Sequence, residues 1–277
     1  MKPDWTIFVP LLFAWVLPLV PAQAVAAQMS TAAPLTSAWQ NGESSRLRLI
    51  AGDTTGTTWT AALQVELEPG WKTYWRNPGE SGVPPQFDFA ESGNIDAIEA
   101  RYPAPHRFSD AYGDSIGYTG SVTFPIAIEP ADRSAPVQLD VKFDYAVCEK
   151  ICVPATARLT IRLVPGRPDL AGDVAAALGR LPALDDGMRL QAIRGEDDSL
   201  TLVFDAPEGA ANADLFAEAP EGWYLALPKP AGRDGQGRYR FTLSLAGRKE
   251  GAAIAGEPFT LTGVSDKGAF ERTLTLD

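Results

Sequence analysis

Cys148 and Cys152 are the only cysteines among 277 residues, and their type and spacing suit redox chemistry. Cys148 ends an apolar-polar alternation that begins at Val137. Glu149, Lys150 and Ile151 intervene, and Cys152 precedes Val153-Pro154 and a second alternating run. If the two runs pair as a hairpin, the cysteines face each other across its end with Cα atoms about 4.5 to 5.5 Å apart. That separation lies within the roughly 4.4 to 6.8 Å a disulfide spans. As a staple such a bond does little, since closing a ring of about five residues is worth about 2 kcal/mol, against about 4.7 for a loop of 100. A close pair at a strand end, where a partner can approach, suits thiol-disulfide exchange, in which a thiolate attacks a disulfide sulfur. A permanent staple is the alternative, because most cysteine pairs of exported proteins are structural. A metal site is short of ligands, because His106 is the only histidine and a tetrahedral site needs four. His106, next to Pro105, reads as a loop residue with no Ser or Cys nucleophile to serve.

The elements that must position this pair are strands. β-branched and apolar residues alternate with polar ones over Arg46 to Ile50, Thr58 to Leu67, Val122 to Ile128, Val137 to Val147 and Ala157 to Leu163, with turn residues between them. In the fourth run Val137, Leu139, Val141, Phe143, Tyr145 and Val147 share one face, and Gln138, Asp140, Lys142 and Asp144 share the other, the pattern of a half-buried strand. After Pro165-Gly166 the period changes. Asp169 is placed to cap a short helix carrying Leu170, Val174, Leu178 and Leu181 on one stripe, ending near Gly179 and Pro182. Strand patterns return at Leu200 to Phe204, Gly222 to Leu227, Tyr239 to Leu245, Phe259 to Val264 and Phe270 to Leu276. Gly235-Gln236-Gly237 reads as a turn and not a phosphate loop, since no G-K-[ST] follows. The expected fold is all-β: two immunoglobulin-like β-sandwiches joined by a short helical linker. The expected divisions are a signal peptide at 1–26, a sandwich with the cysteine pair at 27–165, a linker at 166–186 and a second sandwich at 187–277.

The start of the chain reads as an address. Lys2, an apolar run from Ile7 to Val20 broken by Pro10 and Pro18, and the small residues Ala22 to Ala27 form a cleavable secretory signal. The run is shorter than the roughly 20 apolar residues that span a bilayer, and the later sequence holds no comparable stretch. Export to an oxidising compartment permits a disulfide. With 24 Lys and Arg against 35 Asp and Glu, the formal net charge is -11. An acidic surface of this kind repels phosphate backbones, which argues against nucleic-acid binding.

Four blocks carry a resemblance. They are Gly70-Trp71-Lys72-Thr73-Tyr74-Trp75-Arg76-Asn77-Pro78-Gly79, then Tyr102-Pro103-Ala104-Pro105-His106-Arg107-Phe108, then Tyr112-Gly113 with Gly117-Tyr118, then Cys148-Glu149-Lys150-Ile151-Cys152-Val153-Pro154. In this order they resemble the N-terminal periplasmic domain of DsbD-type thiol:disulfide interchange proteins, and within that group the variant of the ScsB-like suppressor-of-copper-sensitivity proteins. The resemblance implies a periplasmic immunoglobulin-like domain that takes electrons from a thioredoxin-like donor and passes them to partner oxidoreductases, with no dissociable cofactor. It implies that Cys152 forms the mixed disulfide and Cys148 resolves it. It also implies a cap over the disulfide from Phe108 to Gly113, with Asp110 at an acidic position that would raise a thiol pKa. Where the family would place an aromatic lid this chain has Ala111, so Phe108 or Tyr112 must shield the bond or the cap is weaker. Tyr74 and Trp75 are expected to wall the pocket and meet a partner, with the sandwich core as the alternative place for both, and for Trp71 the core is at least an equal expectation. Since the chain carries no spanning segment and no C-x-x-C, its electrons are expected from a separate membrane donor. The competing readings are a non-catalytic binding module with a permanent disulfide and a folding factor associated with copper tolerance.

Overall fold

Alternation at period two builds most of the structure, because successive strand side chains point to opposite faces. The computed structural model describes residues 1, 35–110, 113–170, 172–195, 198–220, 222–251 and 253–276. The expected signal peptide, Ala111, Tyr112 and the side chain of Asp110 lie outside what is described.

The first eleven strands are β1 (Gln40–Gly42), β2 (Ser45–Ala51), β3 (Trp59–Leu67), β4 (Lys72–Gly79), β5 (Gln86–Asp88), β6 (Ala97–Ala100), β7 (His106–Asp110), β8 (Gly113–Thr119), β9 (Ser121–Glu129), β10 (Val137–Cys148) and β11 (Cys152–Leu163). They form one sheet in the order β1-β2-β3-β9-β6 and another in the order β11-β10-β4-β8-β7, with β5 also paired to β10. Leu47, Leu63 and Phe124 from the first sheet and Val141, Phe143, Tyr145 and Val147 from the second fill the core between them. Strand β11 starts at Cys152, five residues before the alternation becomes legible, because Val153 to Thr156 lie along an open edge with few buried side chains.

The helix α1 (Asp173–Leu178) follows, shorter than the periodic stripe suggests. Leu170, expected on that stripe, lies outside the helix and is 69% exposed, whereas Val174 and Ala177 are buried. Asp169 does serve the helix start, its carboxylate accepting from the backbone N–H groups of Gly172 and Ala175 at 2.9 Å each.

The remaining strands are β12 (Ala183–Leu184), β13 (Leu190–Arg194), β14 (Ser199–Phe204), β15 (Ala213–Glu218), β16 (Lys229–Arg233), β17 (Tyr239–Ser244), β18 (Pro258–Ser265) and β19 (Gly268–Thr275). They form sheets in the orders β12-β19-β18-β15 and β13-β14-β17-β16 around a core that includes Leu202, Phe204, Phe241, Phe259 and Leu261. The described residues are all-β apart from the linker helix. The strand expected at Gly222 to Leu227 is absent: Trp223 and Leu227 are buried by packing, and the strand of that region is β16. Pro220, Pro228 and Pro230 bracket the stretch, and proline removes the N–H donors a ladder requires.

Strand β15 gives its two faces to different cores. Leu215 and Ala217 enter the second core, while Phe216 and, from the following loop, Leu227 join the first. The segment Ala33–Asp277 accordingly forms one compact unit.

Candidate functional site

The antiparallel ladder of β10 and β11 runs in register from Val137 opposite Leu163 to Cys148 opposite Cys152. The two cysteines are disulfide-bonded with Cα atoms 4.2 Å apart, slightly closer than the hairpin geometry predicts. Alternation turns Val147 into the core and Cys148 to the outer face of the sheet, beside Ala146 and Tyr74. The two sulfurs are not equivalent: Cys148 is buried, at 5% exposed, and Cys152 is exposed. The connecting residues Glu149, Lys150 and Ile151 are also exposed, Ile151 at 76% offering an apolar side chain next in sequence to Cys152.

Tyr74 is the side chain the structure brings to the disulfide. Its hydroxyl lies 3.0 Å from Cys152 Sγ, and since a disulfide sulfur carries no hydrogen, the phenol O–H donates. The ring is buried, with glycines close against it and against the backbone that carries it. A Cβ at Gly82 would stand 2.6 Å from Cδ1 of the Tyr74 ring, and a Cβ at Gly117 would stand 1.9 Å from the Thr73 carbonyl oxygen. Both positions admit a backbone approach that any larger residue would block. On the same face Lys72 is the register partner of Cys148. Its ammonium donates to Ser115 Oγ at 3.0 Å and lies 5.6 Å from the centre of the Phe108 ring. Phe108, an expected cap residue, is thus placed against Lys72 and half-buried.

Trp75 is not brought to this face. As the neighbour of Tyr74 in a strand it points the other way, is buried in the first core and packs on Phe216 with ring centres 5.7 Å apart. Trp71 is half-buried against the same core. His106 is exposed at the start of β7 and lines a cleft of about 380 Å³ that also meets Arg180 and Val264.

Sequence reasoning passed over Arg76 and Arg107, which sit inside two of the quoted blocks. Arg76 Nη2 donates to Glu218 at 2.7 Å and also pairs with Glu271. Burial would lower the pKa of this guanidinium, but the hydrogen bonds and charges of Glu218 and Glu271 more than offset it, so it is held above its ordinary value. Arg107 donates to Asp214 at 2.8 Å, to Asp114 at 2.9 Å and to the Pro228 carbonyl at 3.0 Å. The same burial, overcome by Asp214 and then Asp114, also raises it. An arginine with acidic residues far off in the sequence is a weak signal, and pairing over more than a hundred residues is not readable from spacing. Among the described residues no three His, Cys, Asp or Glu side chains cluster as a metal ion would need, and no helix is long and apolar enough to cross a membrane.

Residues 46–163 match the family described as thiol:disulfide interchange protein DsbD, N-terminal. Among solved structures, the N-terminal periplasmic domain of ScsB from Proteus mirabilis is similar over 87% of this chain and 98% of that one, with 22% identity and a TM-score of 0.69. That likeness covers both sandwiches and concerns the fold. The conserved domain protein from Bacillus anthracis aligns over 87% of this chain and 90% of that one, at 7% identity and a TM-score of 0.22, too low to carry an argument. No curated protein matches the chain.

Proposed function

We propose, on the premise that residues 46–163 belong to the N-terminal domain family of DsbD-type thiol:disulfide interchange proteins, that Cys148 and Cys152 form a dithiol carrying electrons between periplasmic proteins. The observation that carries this reading is the asymmetry of the pair, with Cys152 exposed and Cys148 buried behind it. A thiolate of a thioredoxin-like donor attacks Cys152 Sγ, the Cys148–Cys152 bond breaks, and Cys148 leaves as a thiolate that takes up a proton. The donor's second thiolate then attacks the mixed disulfide, which leaves the donor oxidised and both cysteines reduced. Towards the acceptor the steps reverse: Cys152 thiolate attacks the acceptor disulfide, and Cys148 thiolate displaces the acceptor and restores the internal bond. Two electrons pass at each encounter, and no dissociable cofactor takes part.

The Tyr74 phenol assists at Cys152. Donating to Sγ, it stabilises negative charge there when Cys152 is the attacking or the leaving group, since hydrogen bonds to an ionised partner are the stronger kind. Phe108, Asp110 and Tyr112 remain assigned to shielding the pair, with Phe108 seated on Lys72 of the same face. Trp75 is reassigned, acting on the core side of β4. The divisions 27–165 and 187–277 are kept as the redox sandwich and its companion, with 166–186 between them. Export by a cleaved signal peptide and supply of electrons by a separate membrane protein belong to this proposal.

Trapping tests it. Cys148→Ser leaves the exposed Cys152 able to hold a partner as a stable mixed disulfide, whereas Cys152→Ser traps little. Equal trapping by both variants, or none by either, removes the assignment. Labelling free thiols in rapidly quenched cells separates exchange from a permanent disulfide. A carrier shows a reduced fraction that disappears when its donor is deleted, and a binding module is fully oxidised in both strains.

A further inference from the structure

Strand β4 changes its support in the middle. Up to Tyr74 it is an ordinary sheet strand: Lys72 and Thr73 pair with Cys148 and Val147 of β10, and Lys72, Thr73 and Tyr74 pair with Thr119, Tyr118 and Gly117 of β8. Beyond Tyr74 the β8 ladder is broken as far as Gly79, and the β10 ladder has ended. The next three side chains meet residues of β15 and, at Arg76, of β19 instead. Trp75 packs on Phe216, and Arg76 donates Nε to both carboxylate oxygens of Glu218 at 3.0 Å each and Nη2 to Glu218 and Glu271. Asn77 donates Nδ2 to the Ala217 carbonyl oxygen at 3.1 Å. The residue whose hydroxyl touches Cys152 Sγ is therefore the last one before that transfer.

We infer that the second sandwich sets the reactivity of the dithiol through Arg76, a positioning residue that anchors β4 two residues beyond Tyr74. The inference rests on the exchange reading above and adds a task for the companion sandwich, which holds no cysteine. The physical basis is geometric. A phenol stabilises a thiolate only while its oxygen stays within hydrogen-bond reach of the sulfur, and a functional group must be held to about 0.5 Å to do so. The ladder fixes β4 up to Tyr74 and resumes only at Gly79, opposite Ser115; between them the forked guanidinium and its two carboxylates hold the strand. A bidentate pair restrains orientation as well as distance, so a point charge at position 76 is a poor substitute.

The test uses the full chain with Cys148→Ser, so that Cys152 is the single thiol, and follows the pH dependence of its alkylation by iodoacetamide. Tyr74→Phe removes the hydrogen bond and is expected to raise the midpoint by about one pH unit, a tenfold loss of thiolate below it. Glu218→Gln with Glu271→Gln is expected to move the midpoint in the same direction, and to add little once Tyr74→Phe is present, as required when two changes act through one contact. Arg76→Lys, which keeps the charge and loses the fork, is expected to reproduce part of the shift in a folded chain should the double glutamine variant fail to fold. Phe259→Ala, a packing loss inside the second core, is expected to lower the melting temperature and leave the midpoint unmoved. Additive shifts, a folded Arg76→Lys with an unmoved midpoint, or an equal shift from Phe259→Ala overturns the inference. The alkylation needs no partner protein. Failure of the exchange reading shows separately, as the absence of trapped partners in cells.

Discussion

Replacing Phe216 by alanine tests whether the first core depends on the second sandwich. Phe216 is 1% exposed, lies in the first core, packs on Trp75 with ring centres 5.7 Å apart and has the Arg107 guanidinium 5.6 Å from its ring centre. Truncating a buried aromatic costs about 3 to 5 kcal/mol. The loss of the ring pair, about 0.5 to 1.5 kcal/mol within that figure, places the expected value in its upper half. A chain of this size melts about 2 to 4 °C lower per kcal/mol, so the shift is about 8 to 20 °C. Thermal and denaturant unfolding followed by circular dichroism measure the total. Hydrogen exchange at the amides of Ile116 and Val147, both fully buried in the first core, shows where the loss falls. Faster exchange at both is expected although the altered residue belongs to β15. If the melting shift is confined to the second sandwich and those two amides keep their protection, the shared core is refuted.

Asp144→Asn concerns acid stability. The hydrogen bond from Lys142, and then that from Thr156, hold the Asp144 carboxyl below its ordinary value. Its contribution is therefore present above the unfolded pKa of about 3.9 and is lost as pH falls through the lower folded value. For a pair this exposed it is worth about 0.2 to 1 kcal/mol, so the variant should unfold more readily at pH 7 and match the parent near pH 2. Equal stability at both pH values refutes it. Gly82→Ala places a methyl 2.4 Å from Pro78 Cβ as well as against the Tyr74 ring. A loss of about 1 to 3 kcal/mol is expected, with a shift of the Tyr74 ring resonances; unchanged spectra would show that the loop yields instead. Asp214→Asn weakens the fork on Arg107 and should cost about 1 to 3 kcal/mol, read by denaturant midpoint, with an unmoved midpoint as the refuting result.

Much of the first sandwich is legible from period two alone. The run from Val137 gives both the strand and the facing of its side chains, and the two runs do pair as a hairpin, which sets Cys148 opposite Cys152 as expected on that condition. The family resemblance, read from four ordered blocks, agrees with the matched residues 46–163. What escaped has a physical pattern. Strand β15, Ala213–Glu218, shows no clear apolar-polar alternation because both of its faces are covered, and strands buried on both faces lose that signature. Gly222 to Leu227 looked like a strand because buried aromatics and aliphatics recur there, yet Tyr224 is 86% exposed and the segment carries no ladder. Aromatic character alone does not separate Tyr74 from Trp75, whereas adjacency in a strand sends the two side chains to opposite faces. Arg76 and Arg107 were invisible because their partners Glu218, Glu271 and Asp214 are distant in sequence, a relation that only the folded chain makes.

The smallness of the ring closed by Cys148 and Cys152 has a consequence for traffic through it. The β10–β11 ladder holds both cysteines in register up to its last pair, so reducing the bond frees only the three residues between them and leaves the hairpin backbone in place. Under the exchange proposed above, the oxidised and reduced forms would then share the hairpin backbone. On that proposal the direction of flow would be set by the relative potentials of the proteins that meet it, and a partner would distinguish the reduced from the oxidised form at the sulfur atoms themselves.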